Sequence, residues 1–219
     1  MTKNLISNVL LDLDGTLTDP APGFVRCIRY ALDTIGVSSP PDELIASHIG
    51  PPLEETLKYL LGPDALETLP DAVRLYRERY ADVGLFENSV YDGVIDALEA
   101  IAEKGPRMFL ATSKPRTFAI KILEHFELSS FFAGIYGSQL DGTHSDKREL
   151  LAFLLKHEVM VPSQAIMVGD RFHDIRAAQS NNMRSLGVLW GYGSEEELRD
   201  AKADNIISCP SDMPHAVVI

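Results

Sequence analysis

Short apolar runs rich in β-branched residues alternate with helical stripes along most of this chain, and the first two runs lie far apart. The runs are LISNVLL (5 to 11), RMFLAT (107 to 112), GIYGS (134 to 138), AIMVGD (165 to 170), SLGVLW (185 to 190) and NIIS (205 to 208). Between the later runs, three groups recur at helical spacing: Ile95, Leu98 and Ala102; Phe118, Ile122 and Phe126; and Leu150, Leu151, Leu154 and Leu155. Strands alternating with helices imply a parallel sheet joined by right-handed crossovers, with helices on both faces. The expected fold class is α/β, with a doubly wound parallel sheet.

About 95 residues separate the first run from the second, whereas a crossover with its helix needs on the order of 12 to 30. Within the gap, Phe24, Ile28, Ala31, Leu32 and Ile35 form one helical stripe. Leu53, Leu57, Leu60 and Leu61 form a second, and Leu69, Val73, Tyr76 and Tyr80 a third, with no strand pattern between them. The expected organisation is a core of residues 1–19 and 89–219 carrying an inserted helical subdomain, residues 20–88. Its hinges fall near TDPAPG and FENSVYDG, where Gly and Pro or Asn cluster.

In an open parallel sheet, ligands bind beyond the carboxyl ends of the strands. The first run ends in DLDGTLTD, where Asp12 and Asp14, two apart in extended chain, face one way while Leu13 faces apolar packing. Gly15 permits a tight turn there, and Thr16 offers a hydroxyl. A second acidic pair follows a later run in GDRFHD, with Asp170 and Asp174 four residues apart. Four converging carboxylates would repel one another and take up protons unless a cation neutralised them. Oxygen-only ligands suit Mg²⁺, which uses few carboxylates and binds a substrate phosphate. Thr112, Ser113 and Lys114 after the second run, and Lys147 at a helix start, supply hydroxyls, amides and ammonium groups for an anion. With a metal beside that site, phosphate is the natural guest.

The bulk numbers exclude other classes. A formal charge of −12 with no Lys/Arg-rich run argues against a nucleic-acid polymer or an anionic membrane as partner. No apolar run reaches the roughly 18 residues of a membrane span. The N-terminal segment lacks a secretory cleavage pattern, so the expected location is cytoplasmic. Cys27 and Cys209 stand in apolar surroundings and read as reduced, buried thiols.

The ordered set DLDGT, ATS, Lys147 and GDRFHD, each at a strand end or helix start, resembles the haloacid-dehalogenase-like (HAD) phosphatase superfamily over essentially the whole chain. The insertion resembles the helical, C1-type cap of phosphoglycolate-phosphatase-like members, and HIGPPL (48 to 53) resembles the cap loop that faces the active site there. YGSQLDGTHSDK and GYGS are similar to the 5′-nucleotidase-like or phosphoglycolate-phosphatase-like branch. The resemblance implies a Rossmann-like HAD core and a Mg²⁺-dependent phosphomonoesterase acting on a small phosphate ester, either a 5′-nucleoside monophosphate or 2-phosphoglycolate. It implies that Asp12 attacks phosphorus and that Asp14 serves as acid and then base. Mg²⁺ would be held by Asp12, the Asp14 backbone carbonyl and Asp170, with Asp174 orienting a metal water or Lys147. Thr112 and Lys147 would hold the phosphoryl oxygens, with Ser113 and Lys114 beside them. His48 and Gly50 are the candidates for reading the rest of the substrate, and the chain is expected as monomer or homodimer.

Bland readings stand beside these. Asp19 reads as a hinge or cap residue, His173 as structural or as a support behind the site rather than catalytic, and the GYG around Gly191 and Gly193 as a turn, because it lacks the rest of a dinucleotide fingerprint. Lys114 before Pro115 is divided between phosphate contact and a solvated helix entrance. Arg116 and Arg171 are divided between positive field and solvated helix ends. A phosphomutase shares the proposed core chemistry, and a receiver-type signalling domain also places aspartates at strand ends, although the helical insertion and a second acid argue against the latter. A dehalogenase needs neither Asp14 nor metal. A phosphonatase needs a cap lysine, and Lys58 reads as solvated.

Overall fold

The computed structural model describes residues 5–217. It divides into a unit holding the described residues up to Thr18 and from Val90 onward, and a second unit, Asp19–Ser89. In chain order the elements begin with β1 (Asn8–Leu11), β2 (Thr18–Asp19), α1 (Ala21–Thr34), α2 (Asp42–Ala46), α3 (Leu53–Leu61), α4 (Leu69–Arg79), β3 (Ser89–Val90) and α5 (Val94–Lys104). They continue with β4 (Arg107–Pro115), α6 (Arg116–His125), β5 (Gly134–Ser138), α7 (Lys147–His157), β6 (Ala165–Gly169), α8 (Phe172–Ser180), β7 (Arg184–Val188), α9 (Glu195–Asp200), β8 (Asn205–Ile207) and α10 (Met213–Ala216).

Six strands form one parallel sheet in the order β5-β4-β1-β6-β7-β8, the Rossmann-like arrangement expected. Strand β1, NVLL, is buried along its whole length and therefore reads as an unbroken apolar run rather than an alternating one. Leu10 packs with Phe109, Ala111, Met167, Leu151 and Leu154 into the main core, which joins α7 to the sheet. Val9 and Leu11, on the opposite side of the pleat, are also fully buried. Each such side chain contributes on the order of 1.5–3 kcal/mol by leaving water. The register pairs Leu11 with both Leu110 and Val168, so β1 and β6 end at nearly the same level while β4 runs on to Pro115 beside them. Because β4 and β5 extend the sheet on one side of β1 and β6, β7 and β8 on the other, winding reverses at β1, the place where open parallel sheets bind their ligands beyond the carboxyl ends of the strands.

The second unit is helical. Its apolar stripes fall on α1, α3 and α4, and α4 runs on into a π-turn at Tyr80–Gly84. Tyr76 stacks on Tyr80 with ring centres 5.3 Å apart and meets Phe24 edge-on at 5.9 Å. Arg79 pairs with Glu87 at 2.8 Å and donates to the Cys27 sulfur at 3.0 Å. Asp19 Oδ1 accepts the Ala21 N–H, the first amide of α1, at 3.0 Å, while Pro20 holds the N-cap position itself. Neither cysteine is in a disulfide. Cys209, however, is only half-buried and lies 3.0 Å from Asp212 Oδ2 in a short polar turn, so the expectation of a buried apolar thiol is corrected there. Among the described residues, no helix is long and apolar enough to cross a membrane.

Candidate active site

All the side chains described next belong to the core unit. The Asp12 N–H donates to the Val168 carbonyl at 3.0 Å, so Asp12 continues the sheet pairing and its carboxylate is fixed by the fold. Asp12 is 6% exposed, and its Oδ1 accepts the Leu13 N–H at 2.8 Å. Leu13 is buried, and its carbonyl accepts from the amides of Leu17 and Thr18 at 2.9 and 3.0 Å, curling DLDGT into a closed turn. Gly15 sits in that turn at φ +81°, and a Cβ there would lie 2.2 Å from Asp170 Oδ2. No other residue type combines this backbone conformation with so close an approach.

Beyond β6, Asp170 is wholly buried. Its Oδ2 accepts the Tyr192 N–H at 2.8 Å, and its Oδ1 lies 3.4 Å from the Thr16 hydroxyl. Burial first, and then the charges of Asp174 and Asp12, push its carboxyl up to about 8. Asp174 stands at the third position of α8, where its Oδ2 accepts the Arg171 N–H at 3.0 Å and so closes the helix start. Its Oδ1 accepts from Lys147, the first residue of α7. The same ammonium reaches Asp12 Oδ2 at 2.8 Å. Burial works to lower the Lys147 pKa, but the Asp12 and Asp174 carboxylates more than offset it and hold the ammonium charged.

Oxygens of Asp12, Asp170 and Asp174 lie within 4.8 Å of one another, all three residues buried. An octahedral Mg²⁺ shell of 2.0–2.1 Å bonds separates its ligand oxygens by about 3 to 4 Å, a spacing of the same order as this cluster's. The donor set is all oxygen, as a hard cation requires, and the raised Asp170 pKa marks a carboxylate placed where positive charge is wanted.

Asp14 faces a different partner. Lys114 approaches both of its oxygens, at 2.7 Å to Oδ1 and 2.6 Å to Oδ2. Burial raises the Asp14 pKa, partly opposed by Lys114 and reinforced by Asp12. Thr112 is buried in β4, three residues before its end, with its Oγ1 accepting the Lys114 N–H at 3.2 Å. The Ser113 carbonyl accepts the Ser138 hydroxyl at 2.8 Å. His173 packs its ring 3.8 Å from that of Phe172, and burial lowers its pKa to about 4, which leaves it neutral near pH 7. Arg171 is not a solvated helix end, because its Nε pairs with Glu197 at 2.9 Å.

The segment after β7 carries more of the site than its reading as a plain turn suggests. The Trp190 indole N–H donates to the Thr16 carbonyl at 3.0 Å, and a Cβ on Gly191 would lie 2.2 Å from the Gly15 carbonyl oxygen. A Cβ on Gly193 would lie 1.9 Å from the Asp170 carbonyl oxygen. WGYG therefore packs directly against both acidic loops. The available signal was two glycines one residue apart after a strand, which marks close backbone approach as readily as a turn.

His48 and Gly50 lie in the helical unit. His48 Nδ1 donates to the Leu44 carbonyl at 2.8 Å, which assigns the tautomer, and its ring stacks on Tyr59 at 4.3 Å. Gly50 has φ +118°.

The model of the haloacid dehalogenase-like hydrolases matches residues 9–188. A 5′-nucleotidase from Pseudomonas aeruginosa is 43% identical over 192 residues, covering 88% of this chain and 86% of that protein. A phosphoglycolate phosphatase from Psychrobacter arcticus is 29% identical over 209 residues, covering 91% and 89%. The tyrosine-protein kinase PtkA of Mycobacterium tuberculosis is 39% identical over 186 residues, 84% of this chain but 62% of that protein. Among solved structures, a predicted phosphatase from Clostridium acetobutylicum superposes with a TM-score of 0.92 at 36% identity, covering 97% of this chain and 98% of that one.

Proposed function

Because the chain belongs to the haloacid dehalogenase-like hydrolases and is a phosphoric monoester hydrolase, we propose that it hydrolyses a small phosphate ester through an aspartyl-phosphate on Asp12, with Mg²⁺ as cofactor. The observation that carries this reading is the Lys147 ammonium, which joins Asp12 at 2.8 Å to Asp174 within a buried acidic cluster completed by Asp170, whose oxygens lie within 4.8 Å of one another. Two ammoniums (Lys114, Lys147) stand among four carboxyl groups (Asp12, Asp14, Asp170, Asp174), so the acidic groups outnumber the fixed cations and a divalent cation would offset that excess before a phosphate enters.

Asp12, Asp170 and the Asp14 backbone carbonyl would hold Mg²⁺, with Asp174 set to orient Lys147. When bound, the ion polarises and neutralises the phosphoryl oxygens. Lys147 and the Thr112 hydroxyl hold those oxygens against the transferring charge, with Ser113 and Lys114 beside them. An Asp12 oxygen attacks phosphorus while the bond to the leaving oxygen breaks, and that oxygen takes its proton from the Asp14 carboxyl. Water then attacks the phosphorus of the aspartyl-phosphate and gives its proton to Asp14. The Asp12 oxygen–phosphorus bond breaks, and inorganic phosphate leaves.

The 43% identical 5′-nucleotidase favours a 5′-nucleoside monophosphate, with 2-phosphoglycolate second. We assign the choice between them to the helical unit's loop at His48 and Gly50. Neither Cys27 nor Cys209 forms a disulfide, which accords with a reducing cytoplasmic location. The test is a panel of phosphate esters assayed with Mg²⁺, with EDTA and with Mg²⁺ restored. Nucleotide hydrolysis abolished by EDTA and recovered with Mg²⁺ supports the reading, and undiminished turnover by metal-stripped protein overturns it.

A further inference from the structure

A ligand for the phosphoryl group should present its charge to the phosphate, yet Lys114 turns its ammonium onto Asp14, 2.7 Å from Oδ1 and 2.6 Å from Oδ2. The two residues are 100 positions apart, and their side chains are 7% and 18% exposed, so the pair is sheltered from water rather than a loose surface contact. The backbone that delivers Lys114 is fixed on both sides. Its N–H donates to the buried Thr112 hydroxyl at 3.2 Å, the preceding Ser113 carbonyl is held by Ser138 at 2.8 Å, and Pro115 leads directly into α6. Lys147 meanwhile already brings an ammonium to Asp12.

We propose that Lys114 is a positioning residue for Asp14: it fixes the carboxyl of the acid/base so that one oxygen meets the leaving oxygen of the ester. This inference rests on the acid/base reading of Asp14 given above. A proton-transfer group has to stand within about 2.6–3.2 Å of the atom it serves, and a misplacement of about 1 Å lowers the rate by roughly a hundredfold. One carboxylate oxygen suffices for the Lys114 hydrogen bond. The second is released to the substrate when the phosphoryl dianion enters and draws part of the ammonium's charge.

A positioning role acting through Asp14 differs measurably from a phosphate-ligand role. An activated ester needs little help from an acid, whereas an alkyl ester needs it fully. The experiment measures kcat and KM of Lys114→Met and Lys114→Arg, each alone and combined with Asp14→Asn, on p-nitrophenyl phosphate and on glycerol 2-phosphate, with inorganic phosphate as inhibitor. We expect Lys114→Met to lower kcat on glycerol 2-phosphate at least about tenfold more than on p-nitrophenyl phosphate, with the inhibition constant of phosphate shifting less than about threefold. Lys114→Arg recovers most of that difference, and in the Asp14→Asn background the difference disappears.

Equal losses on both esters together with weaker phosphate inhibition would make Lys114 a phosphate ligand and overturn the proposal. So would an undiminished Lys114→Met effect in the Asp14→Asn background. If Asp14→Asn alone left glycerol 2-phosphate turnover intact, the acid/base assignment and this inference would fall together. Lys114→Gln, one atom shorter and uncharged but still a hydrogen-bond donor, supplies the same comparison should the Met variant fail to fold.

Discussion

The Tyr192 N–H donates to Asp170 Oδ2 at 2.8 Å, so a loop far along the chain aims a carboxylate that the end of β6 presents. Gly191, just before it, lies so close that a Cβ would stand 2.4 Å from the Asp170 Cβ and 2.2 Å from the Gly15 carbonyl oxygen. Gly191→Ala should therefore displace both acidic loops. The expected outcome is a loss of about 1–3 kcal/mol in urea unfolding and a tenfold or larger rise in the Mg²⁺ concentration needed for half-maximal activity. A variant with unchanged Mg²⁺ dependence would detach this loop from the metal site.

Proton uptake by Asp170 should compete with the metal. Its carboxyl is raised from 3.8 to about 8 by burial and by Asp174 and Asp12, so in metal-free protein the bound proton contributes stability in full below pH 3.8. That contribution is lost as pH rises through about 8. Mg²⁺ requires the ionised form, so its apparent affinity should climb up to about tenfold per pH unit from pH 6 to about 8 and then level off. Calorimetric titration of Mg²⁺ at pH 6, 7, 8 and 9 measures this, and an affinity independent of pH would contradict it.

Asp12→Asn removes the nucleophile while keeping an oxygen that can accept the Leu13 N–H, now 2.8 Å from Asp12 Oδ1. The variant should fold, as judged by circular dichroism, and retain less than roughly a thousandth of the wild-type kcat.

Selectivity should respond to the helical unit. Gly50 has φ +118°, a conformation that strains any side chain, so Gly50→Ala should reshape the loop that follows His48. Changes at Gly50 or His48 should alter kcat/KM unequally between a 5′-nucleoside monophosphate and 2-phosphoglycolate while affecting p-nitrophenyl phosphate least. A uniform drop across all three would make the loop a closure element rather than a reader of the leaving group.

What the sequence made legible was whatever rests on local periodicity. The buried strands of the sheet stood out as apolar runs, and the aspartates that follow NVLL marked where β1 ends, although the chain curls into a closed turn there rather than running on extended from Asp12 to Asp14. The helical stripe from Leu69 to Tyr80 located α4 but not the π-turn that continues it, because a change of helical pitch over one turn leaves no apolar signature. Contacts between distant segments were not legible. The partnership of Lys114 with Asp14 joins residues 100 positions apart, and Trp190 reaches Thr16 across 174. Both arise only when parallel strands bring their carboxyl ends together. Cys209 was misplaced for a related reason, since its apolar flank, NIIS, ends at a polar turn beside Asp212.

The stereochemical course at phosphorus tests the central claim most directly, because it does not require the intermediate to accumulate. A phosphorothioate ester made chiral with ¹⁸O would be hydrolysed in ¹⁷O-labelled water with Mg²⁺, and the configuration of the inorganic thiophosphate determined. Transfer to Asp12 followed by transfer to water comprises two in-line displacements and predicts net retention of configuration. Net inversion would mean that water attacks the ester directly, and the aspartyl-phosphate on Asp12 would be ruled out.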